Sequence, residues 1–167
     1  MEPEISVRPA NAADIEAIIL LSRVLALHVE DPDPGDDPGA ILEAYFLAEP
    51  WGECLVAEIG SGIVGFIGLC RYFDAGTRLR SLCITDLAVL PDARRRGVGR
   101  ALLEAARQRA LRLGAEAILF EVWKGNHSAL RFYKRMGADI LNDRHLMCLP
   151  ISDYATRLIS AAAGPSG

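Results

Sequence analysis

The chain has 167 residues, a net charge of −4 and a hydrophobic fraction of 51%. This length is enough for one domain with a sizeable core, and the composition is typical of a globular chain rather than a disordered one. The negative net charge argues against general nucleic-acid binding, which needs a broad basic face. No apolar run approaches the ~18 residues that span a membrane, so no membrane partner is expected.

The cysteines and histidines show no pattern of a disulfide framework or a metal site. The cysteines are Cys54, Cys70, Cys83 and Cys148. Each lies in an apolar, strand-like run, which predicts free thiols in a reducing compartment. The histidines are scattered, so no metal-ligand spacing emerges. The segment Met1–Glu4 is acidic and lacks the apolar stretch of a signal peptide, and we therefore expect a cytoplasmic protein without a metal.

The first half of the chain predicts one strand, two helices and a set of hairpin-linked strands. Asn11 is a good helix cap, and a loop rich in Pro, Gly and Asp separates the two helices. The predicted elements, in order, are a strand at Ile5–Arg8, a helix at Ala12–His28, a loop at Val29–Gly39, a helix at Ala40–Ala48 and strands at Cys54–Ile59, Ile63–Phe73 and Leu79–Val89.

The second half alternates helices and strands. A helix starts near Val98 and is closed by Gly114, and Asn126 can cap a later one. The predicted elements that follow the first of these helices are a strand at Ala117–Trp123, a helix from Asn126 to near Met136, short strands at Ala138–Leu141 and His145–Leu149, and a helix at Asp153–Ala161. The order predicts a mixed α/β fold around one sheet.

A basic, glycine-spaced loop joins the strand Leu79–Val89 to the next helix. Its residues are Arg94, Arg95, Arg96, Gly97, Val98, Gly99 and Arg100. Because a helix N-terminus carries partial positive charge, arginines there are unfavourable unless an anion is bound. Free backbone N–H groups, close approach at the glycines and guanidinium groups together suit a pyrophosphate. The alternatives are a solvated, Arg-rich helix start and a nucleotide-binding regulatory domain.

Two segments resemble the motifs of the GNAT superfamily of N-acetyltransferases. Asp86–Pro91 followed by Arg94-Arg95-Arg96-Gly97-Val98-Gly99 resembles the family's strand and cofactor loop. Asn126–Ala138, with its Phe-Tyr pair and a glycine after the helix, resembles the family's second motif. The likeness spans roughly residues 5–149 and is closest in pattern to the diamine-acetyltransferase-like branch.

The resemblance implies a single α/β domain over residues 1–167, with a core at about 5–149 and a C-terminal helix and tail at 150–167. It implies a mixed, mostly antiparallel sheet that is splayed at the cofactor site and flanked by helices. It also implies acetyl-CoA as co-substrate and makes a homodimer plausible. The implied cofactor contacts are the backbone of Leu87, Ala88 and Val89, the loop residues Arg94 to Arg100, and Asn126, Ala129 and Tyr133; the Val98 side chain is expected in the core.

Acetyl transfer to an amine needs an acid and a base. Tyr133 matches the family's usual general acid. In the diamine-acetyltransferase-like branch a glutamate acts for the amine at the position of Thr85, which cannot be a base at neutral pH. Asp86 would face the other side of a regular strand unless a bulge redirects it, and Glu121 on the next strand is an equal candidate. A water chain without a dedicated base, and ordinary carboxylates at a sheet end, stay open.

These features predict an N-acetyltransferase that acts on a primary amine of a small molecule, with di- and polyamines as candidates. The carboxylates of the Val29–Gly39 loop would attract a cationic amine, or are simply solvated. The alternatives are acetylation of a protein lysine or N-terminus and a non-catalytic acyl-CoA sensor.

Overall fold

The computed structural model describes residues 4–141 of the chain. Its elements are β1 (Ile5–Pro9), α1 (Ile15–Val29), α2 (Pro38–Tyr45), β2 (Glu53–Ile59), β3 (Gly62–Asp74), β4 (Leu79–Val89), α3 (Val98–Arg112), β5 (Ala117–Phe120) and α4 (His127–Arg135). The chain groups into two compact units, Met1–Phe132 and Tyr133–Gly167. None of the helices in the described residues is long and apolar enough to cross a lipid bilayer.

The strands form one sheet in the order β1-β2-β3-β4-β5. The first three pairings are antiparallel, whereas β4 and β5 run parallel. A parallel pair needs a long crossover connection, and α3 provides it. The predicted α/β fold with a mixed, mostly antiparallel sheet is therefore confirmed.

The start of the first helical segment follows the predicted cap. Asn11 Oδ1 accepts a hydrogen bond from the Ala13 N–H at 2.9 Å, and the Asn11 N–H donates to Asp14 Oδ2 at 2.8 Å. This reciprocal capping box first produces a 3-10 turn, Ala12–Asp14, and α1 continues from Ile15. Each side chain satisfies a backbone or cap group that a helix start leaves without a partner.

The second helix lies earlier in the chain than predicted. It begins at Pro38 rather than Ala40 because proline fits the first helical position and Asp37 caps the helix, accepting from the Ala40 N–H at 3.0 Å. It ends at Tyr45 rather than Ala48.

Two predicted strands near the end of the described residues were wrong in extent or type. β5 ends at Phe120, not Trp123. Residues 138–141 form no strand, and there the Asp139 carboxylate accepts from the Ile140 N–H at 2.8 Å. That local bond occupies a backbone group that a strand ladder would use. The strand predicted at His145–Leu149, the helix at Asp153–Ala161 and Cys148 lie outside the described residues.

The core has a layer on each face of the sheet. On one face α3 packs Val98 and Leu102 against Leu82, all at most 1% exposed. On the other face α1 packs Ile18 against Phe66. Burial of apolar surface on both faces stabilises the sheet and fixes the direction in which each strand side chain points.

Candidate active site

A β-bulge interrupts β4 in the middle of the predicted site. Gly68 of β3 lies opposite Asp86 and Leu69 lies opposite Ile84, so Thr85 has no residue across from it. One extra residue resets the alternation of side chains along a strand. Ala88 packs against the α1 face of the sheet, and Asp86, two residues earlier, therefore faces the same side.

The far edge of β4 is left open beyond the bulge. β5 pairs with β4 only from Ser81↔Ala117 to Ile84↔Phe120. The Leu90 N–H donates to the Val64 carbonyl on β3 at 2.9 Å. Backbone N–H and C=O groups alternate between the two edges of a strand, so those of Leu87 and Val89 point away from β3. They face an edge that no strand covers within residues 4–141. This end of the pairing agrees with the predicted splay, and it leaves the amide groups of Leu87 and Val89 without a strand partner among residues 4–141.

The loop between β4 and α3 has the geometry of an anion-binding cradle. Arg95 and Gly97 both have left-handed backbone, with φ of 61° and 91°. Such a conformation turns successive N–H groups towards one concave surface. The first helical bond runs from the Ala101 N–H to the Gly97 carbonyl at 3.0 Å, and no side chain caps α3. The first N–H groups of the helix therefore point outward at its positive dipole end, which fits a diphosphate.

The arginines of the loop differ in what they contact. Arg94 Nε donates to the Val89 carbonyl at 3.1 Å, so this side chain covers part of the open β4 edge. Arg95, Arg96 and Arg100 are exposed and take part in none of the ion pairs of the described residues. Their charge is available to a phosphate-bearing ligand.

Two residues of the cradle face the protein. The Val98 side chain is 1% exposed and belongs to the core, as expected. A Cβ on Gly99 would lie 3.6 Å from the Phe132 ring, which is ordinary contact distance. A side chain at position 99 would therefore begin against Phe132 rather than on the outer side of the loop.

The second motif comprises α4, its cap and the turn that follows it. Asn126 Oδ1 accepts from the Ala129 N–H at 3.0 Å, so these two predicted cofactor contacts cap the helix together. Gly137 follows the helix with a φ of 90°, as its sequence position indicated. Tyr133 belongs to the second unit, and burial raises its pKa to about 12, which keeps its hydroxyl protonated at neutral pH.

The two candidate bases have different surroundings. Asp86 is half-buried beside the bulge, whereas Glu121 is exposed just beyond the end of β5. The sequence analysis missed Tyr45, whose ring lies in the α1-side core layer and whose hydroxyl approaches Thr85 and Asp86. The sequence signal for close packing there is the presence of Gly65 and Gly68 within β3, since glycine in a strand often marks a close approach of another group.

The acidic loop between α1 and α2 is partly neutralised. Arg23 contacts Asp33 at 2.9 Å and Asp36 at 3.0 Å. The Gly35 N–H and Arg23 together hold the pKa of Asp33 below its usual range. Glu30 and Asp31 are exposed and form none of the described ion pairs. Within the described part of the chain, no group of three or more His, Cys, Asp or Glu side chains is placed to hold a metal ion.

Residues 21–138 match the model of the acetyltransferase (GNAT) family. The chain belongs to this family. GNAT enzymes use acetyl-CoA as co-substrate.

Relatives of this GNAT chain differ in their acceptors. It is 28% identical over 148 residues to a thialysine N-epsilon-acetyltransferase from Bos taurus, covering 83% of this chain and 86% of that protein. It is 30% identical over 145 residues to an N-alpha-acetyltransferase from Sulfurisphaera tokodaii, covering 80% of each. A ribosomal-protein-alanine N-acetyltransferase structure from Brucella melitensis superimposes with a TM-score of 0.72 at 16% identity, over 88% of this chain and 100% of that one. The chain is thus an N-acetyltransferase.

Proposed function

We propose that this enzyme transfers the acetyl group of acetyl-CoA to a primary amine of a small molecule, with both substrates bound at once. The observation that carries the proposal is the anion cradle before α3 lying directly after the unpaired edge of β4. Acetyl-CoA supplies the reactive thioester when bound. Everything else in the reaction falls to side chains and backbone of this chain.

Donor binding rests on backbone groups and charge. The N–H groups of residues 95–100 would hold the pyrophosphate, and the exposed guanidinium groups would neutralise its charge. The amide groups of Leu87 and Val89 would pair with the extended pantetheine arm as a strand would. Asn126 and Ala129 would lie along the arm, as the family resemblance implies.

A base must first remove a proton from the acceptor. A lysine-like ammonium has a pKa of ~10.4, and bringing it to the neutral amine at about pH 7 costs about 4–5 kcal/mol. The bulge supports Asp86 as the base because it directs the carboxylate to the α1 side of the sheet, towards the two helices and their acidic loop. Glu121 is the second candidate, and it would act across the end of β5.

An acid must protonate the departing thiolate of CoA. Tyr133 fits this role chemically, because burial keeps its phenol protonated at neutral pH. Replacement by phenylalanine removes the proton and changes the shape little. General acid catalysis contributes about 10²–10⁴-fold to a rate, so Tyr133→Phe should lower kcat by a factor in that range.

The acceptor is proposed to be cationic and small. The exposed Glu30 and Asp31 add negative potential to the loop on the α1 side. The thialysine relative supports a small diamine-like acceptor. The Sulfurisphaera relative favours a protein N-terminus as the second candidate.

The first test is calorimetric titration with acetyl-CoA, with ATP as the control ligand. We expect one site per chain that ATP does not occupy. Gly99→Asp should abolish binding, since it adds a negative charge at the start of α3, where the pyrophosphate would bind. Gly76→Asp adds the same charge at the opposite end of β4 and should bind normally. Unchanged affinity in Gly99→Asp would mean that the loop is not the donor site.

The second test measures CoA release with a panel of amines. The panel contains thialysine, a diamine, a polyamine and a peptide with a free N-terminus, each at saturating acetyl-CoA. Faster turnover of the small amines supports the proposal, and turnover of the peptide alone supports the second candidate. Binding of acetyl-CoA without any transfer would leave a sensor module as the correct function. Comparing Asp86→Asn with Glu121→Gln in the same assay identifies the base.

A further inference from the structure

A glycine in β3 opens a small space beside the bulge, and oxygens from two elements converge on it. A Cβ at Gly68 would lie 2.5 Å from Thr85 Oγ1, 2.8 Å from the Tyr45 hydroxyl and 3.3 Å from Asp86 Oδ2. Tyr45 is the last residue of α2, whereas the other two oxygens belong to β4. The bulge and α2 therefore meet at one polar point in an otherwise apolar layer.

The Tyr45 ring is held in place by the core. It packs in the α1-side layer, and its centroid lies 6.2 Å from that of Phe46 in an edge-to-face arrangement. Its hydroxyl and Thr85 Oγ1 both lie within 3 Å of the point that a Cβ of Gly68 would occupy. A phenol whose ring is fixed by packing is a rigid support for the polar groups beside its hydroxyl.

The hydroxyl of Tyr45 stays protonated next to a carboxylate. Burial raises the pKa of Tyr45 to about 12, and the negative charge of Asp86 adds to the effect. The other titratable groups that face it are Cys54 on β2 and Cys70 on β3. A neutral phenol beside Asp86 offers a hydrogen-bond donor and no competing charge.

The Asp86 carboxylate has acceptor capacity left. None of the hydrogen bonds of residues 4–141 involves its oxygens, although Thr85 and Tyr45 surround it. A bulged strand alone does not fix a carboxylate to the accuracy that proton transfer needs. A rigid neighbour that holds the bulge can supply that accuracy.

We propose that Tyr45 is a positioning residue for Asp86: its packed ring sets a hydroxyl beside Thr85 and the Asp86 carboxylate, and so holds the bulge in the conformation that directs this carboxylate to the acceptor amine. Tyr45 does not itself exchange a proton with the substrate. This role rests on the proposed function, because it assigns a support to the base of that reaction. It also explains why glycine stands at position 68, where any side chain would displace the two hydroxyls.

The test compares wild type, Tyr45→Phe and the matched control Tyr72→Phe, an exposed tyrosine further along β3. The assay measures kcat and KM for the amine across pH, with acetyl-CoA affinity measured separately. We expect Tyr45→Phe to lower kcat about tenfold, since it disturbs but does not delete a base whose contribution is about 10²–10⁴-fold. Its acetyl-CoA affinity should be unchanged, and the acidic limb of its rate profile should move. Tyr72→Phe should match the wild type.

Two further variants separate positioning from general stability. Thr85→Ser keeps the hydroxyl and should retain the wild-type rate, whereas Thr85→Val should resemble Tyr45→Phe. In an Asp86→Asn background, Tyr45→Phe should cause no further loss, because its effect passes through the missing carboxylate. A tenfold loss that persists in that background would overturn the positioning role. Wild-type kinetics in Tyr45→Phe, with an active wild type, would overturn this inference alone; a wild type that acetylates no amine would overturn the proposed function and this inference with it.

Discussion

Replacement of Asp14 by asparagine should destabilise the fold more than the corresponding replacement of a carboxylate in an exposed ion pair. Asp14 is 6% exposed, and its carboxylate accepts from Arg8 Nη1 at 2.7 Å, from Arg8 Nη2 at 2.9 Å and from the Asn11 N–H at 2.8 Å. An asparagine keeps one acceptor oxygen and turns an NH₂ group towards the guanidinium. The substitution therefore removes the charge, one arm of the fork and one of the two carboxylate partners of Arg8.

The expected loss of stability in Asp14→Asn depends on how far solvent and Glu58 compensate for the broken Arg8–Asp14 ion pair. Breaking a buried ion pair costs about 3–5 kcal/mol. The Arg8 side chain is 34% exposed and keeps its contact with Glu58, so water and that second carboxylate recover part of the cost. We expect a decrease of about 2–3 kcal/mol in the free energy of unfolding. For a chain of this size the melting temperature should fall by roughly 5–10 °C.

Urea unfolding followed by circular dichroism measures this difference, with Glu104→Gln as the matched control. Glu104 also pairs with an arginine, Arg107, and that contact and Gln108 lower its pKa to about 2, yet its side chain is 47% exposed. Glu104→Gln should leave stability essentially unchanged. Equal stability of both variants and the wild type would refute the argument that burial decides the value of these pairs.

The dependence of stability on pH provides a second test of the Arg8–Asp14 ion pair. The Arg8 fork lowers the pKa of Asp14 below its ordinary value of 3.8. A lowered folded-state pKa means that the stability is fully present above that ordinary value and is lost as pH falls through the lowered one. The gap between wild type and Asp14→Asn should therefore close only in strong acid. A gap that closes at neutral pH would contradict this assignment.

Two further outcomes test the packing beneath the site. Gly65→Ala should destabilise the fold by about 1–3 kcal/mol in thermal melts, because its methyl group would lie 2.9 Å from the Ala88 carbonyl oxygen and 3.1 Å from Val98 Cγ1. Gly62→Ala is the control, since the nearest atom to its methyl group would be 3.8 Å away. Equal melting temperatures of the two variants would contradict the steric argument. Burial raises the pKa of the Cys54 thiol from 9.0 to about 12, so its contribution to stability is present below the lower value and is lost as pH rises towards the higher one. Cys54→Ala should lose less stability than wild type across that interval, and parallel curves would show that the thiol does not titrate on unfolding.

The motifs of the cofactor loop were predictable because they repeat simple rules. A strand, a turn, spaced glycines and a helix follow in chain order, and β4 was predicted with its observed bounds. The left-handed backbone at Gly97 agrees with a residue type that tolerates it. The cap at Asn126 was predictable for the same reason, since its side chain acts within its own helix turn.

The arrangement around the bulge was not predictable from the chain alone. Alternation along β4 gives Asp86 the wrong face, and only the register against β3 shows that Thr85 is the extra residue. Tyr45 carries no motif, and its importance depends on the three-dimensional meeting of α2 with β3 and β4. The length of β5 likewise follows from the end of its pairing with β4 and not from its own residues. The bulge, the placement of Tyr45 and the length of β5 all depend on strand register and on contacts between residues far apart in the sequence.

The hydrogen bond from Arg94 to the Val89 carbonyl also bears on how the unpaired edge of β4 is protected. A strand edge that is kept open for an extended ligand is equally open to a strand of another chain. Arg94 occupies a carbonyl of that edge and brings a charge to it, and both properties discourage intermolecular pairing. The residue next to the anion cradle therefore acts as a gatekeeper against aggregation whenever the donor is absent. Resistance to aggregation should therefore depend on Arg94 more when no donor is bound than when a donor covers the strand edge.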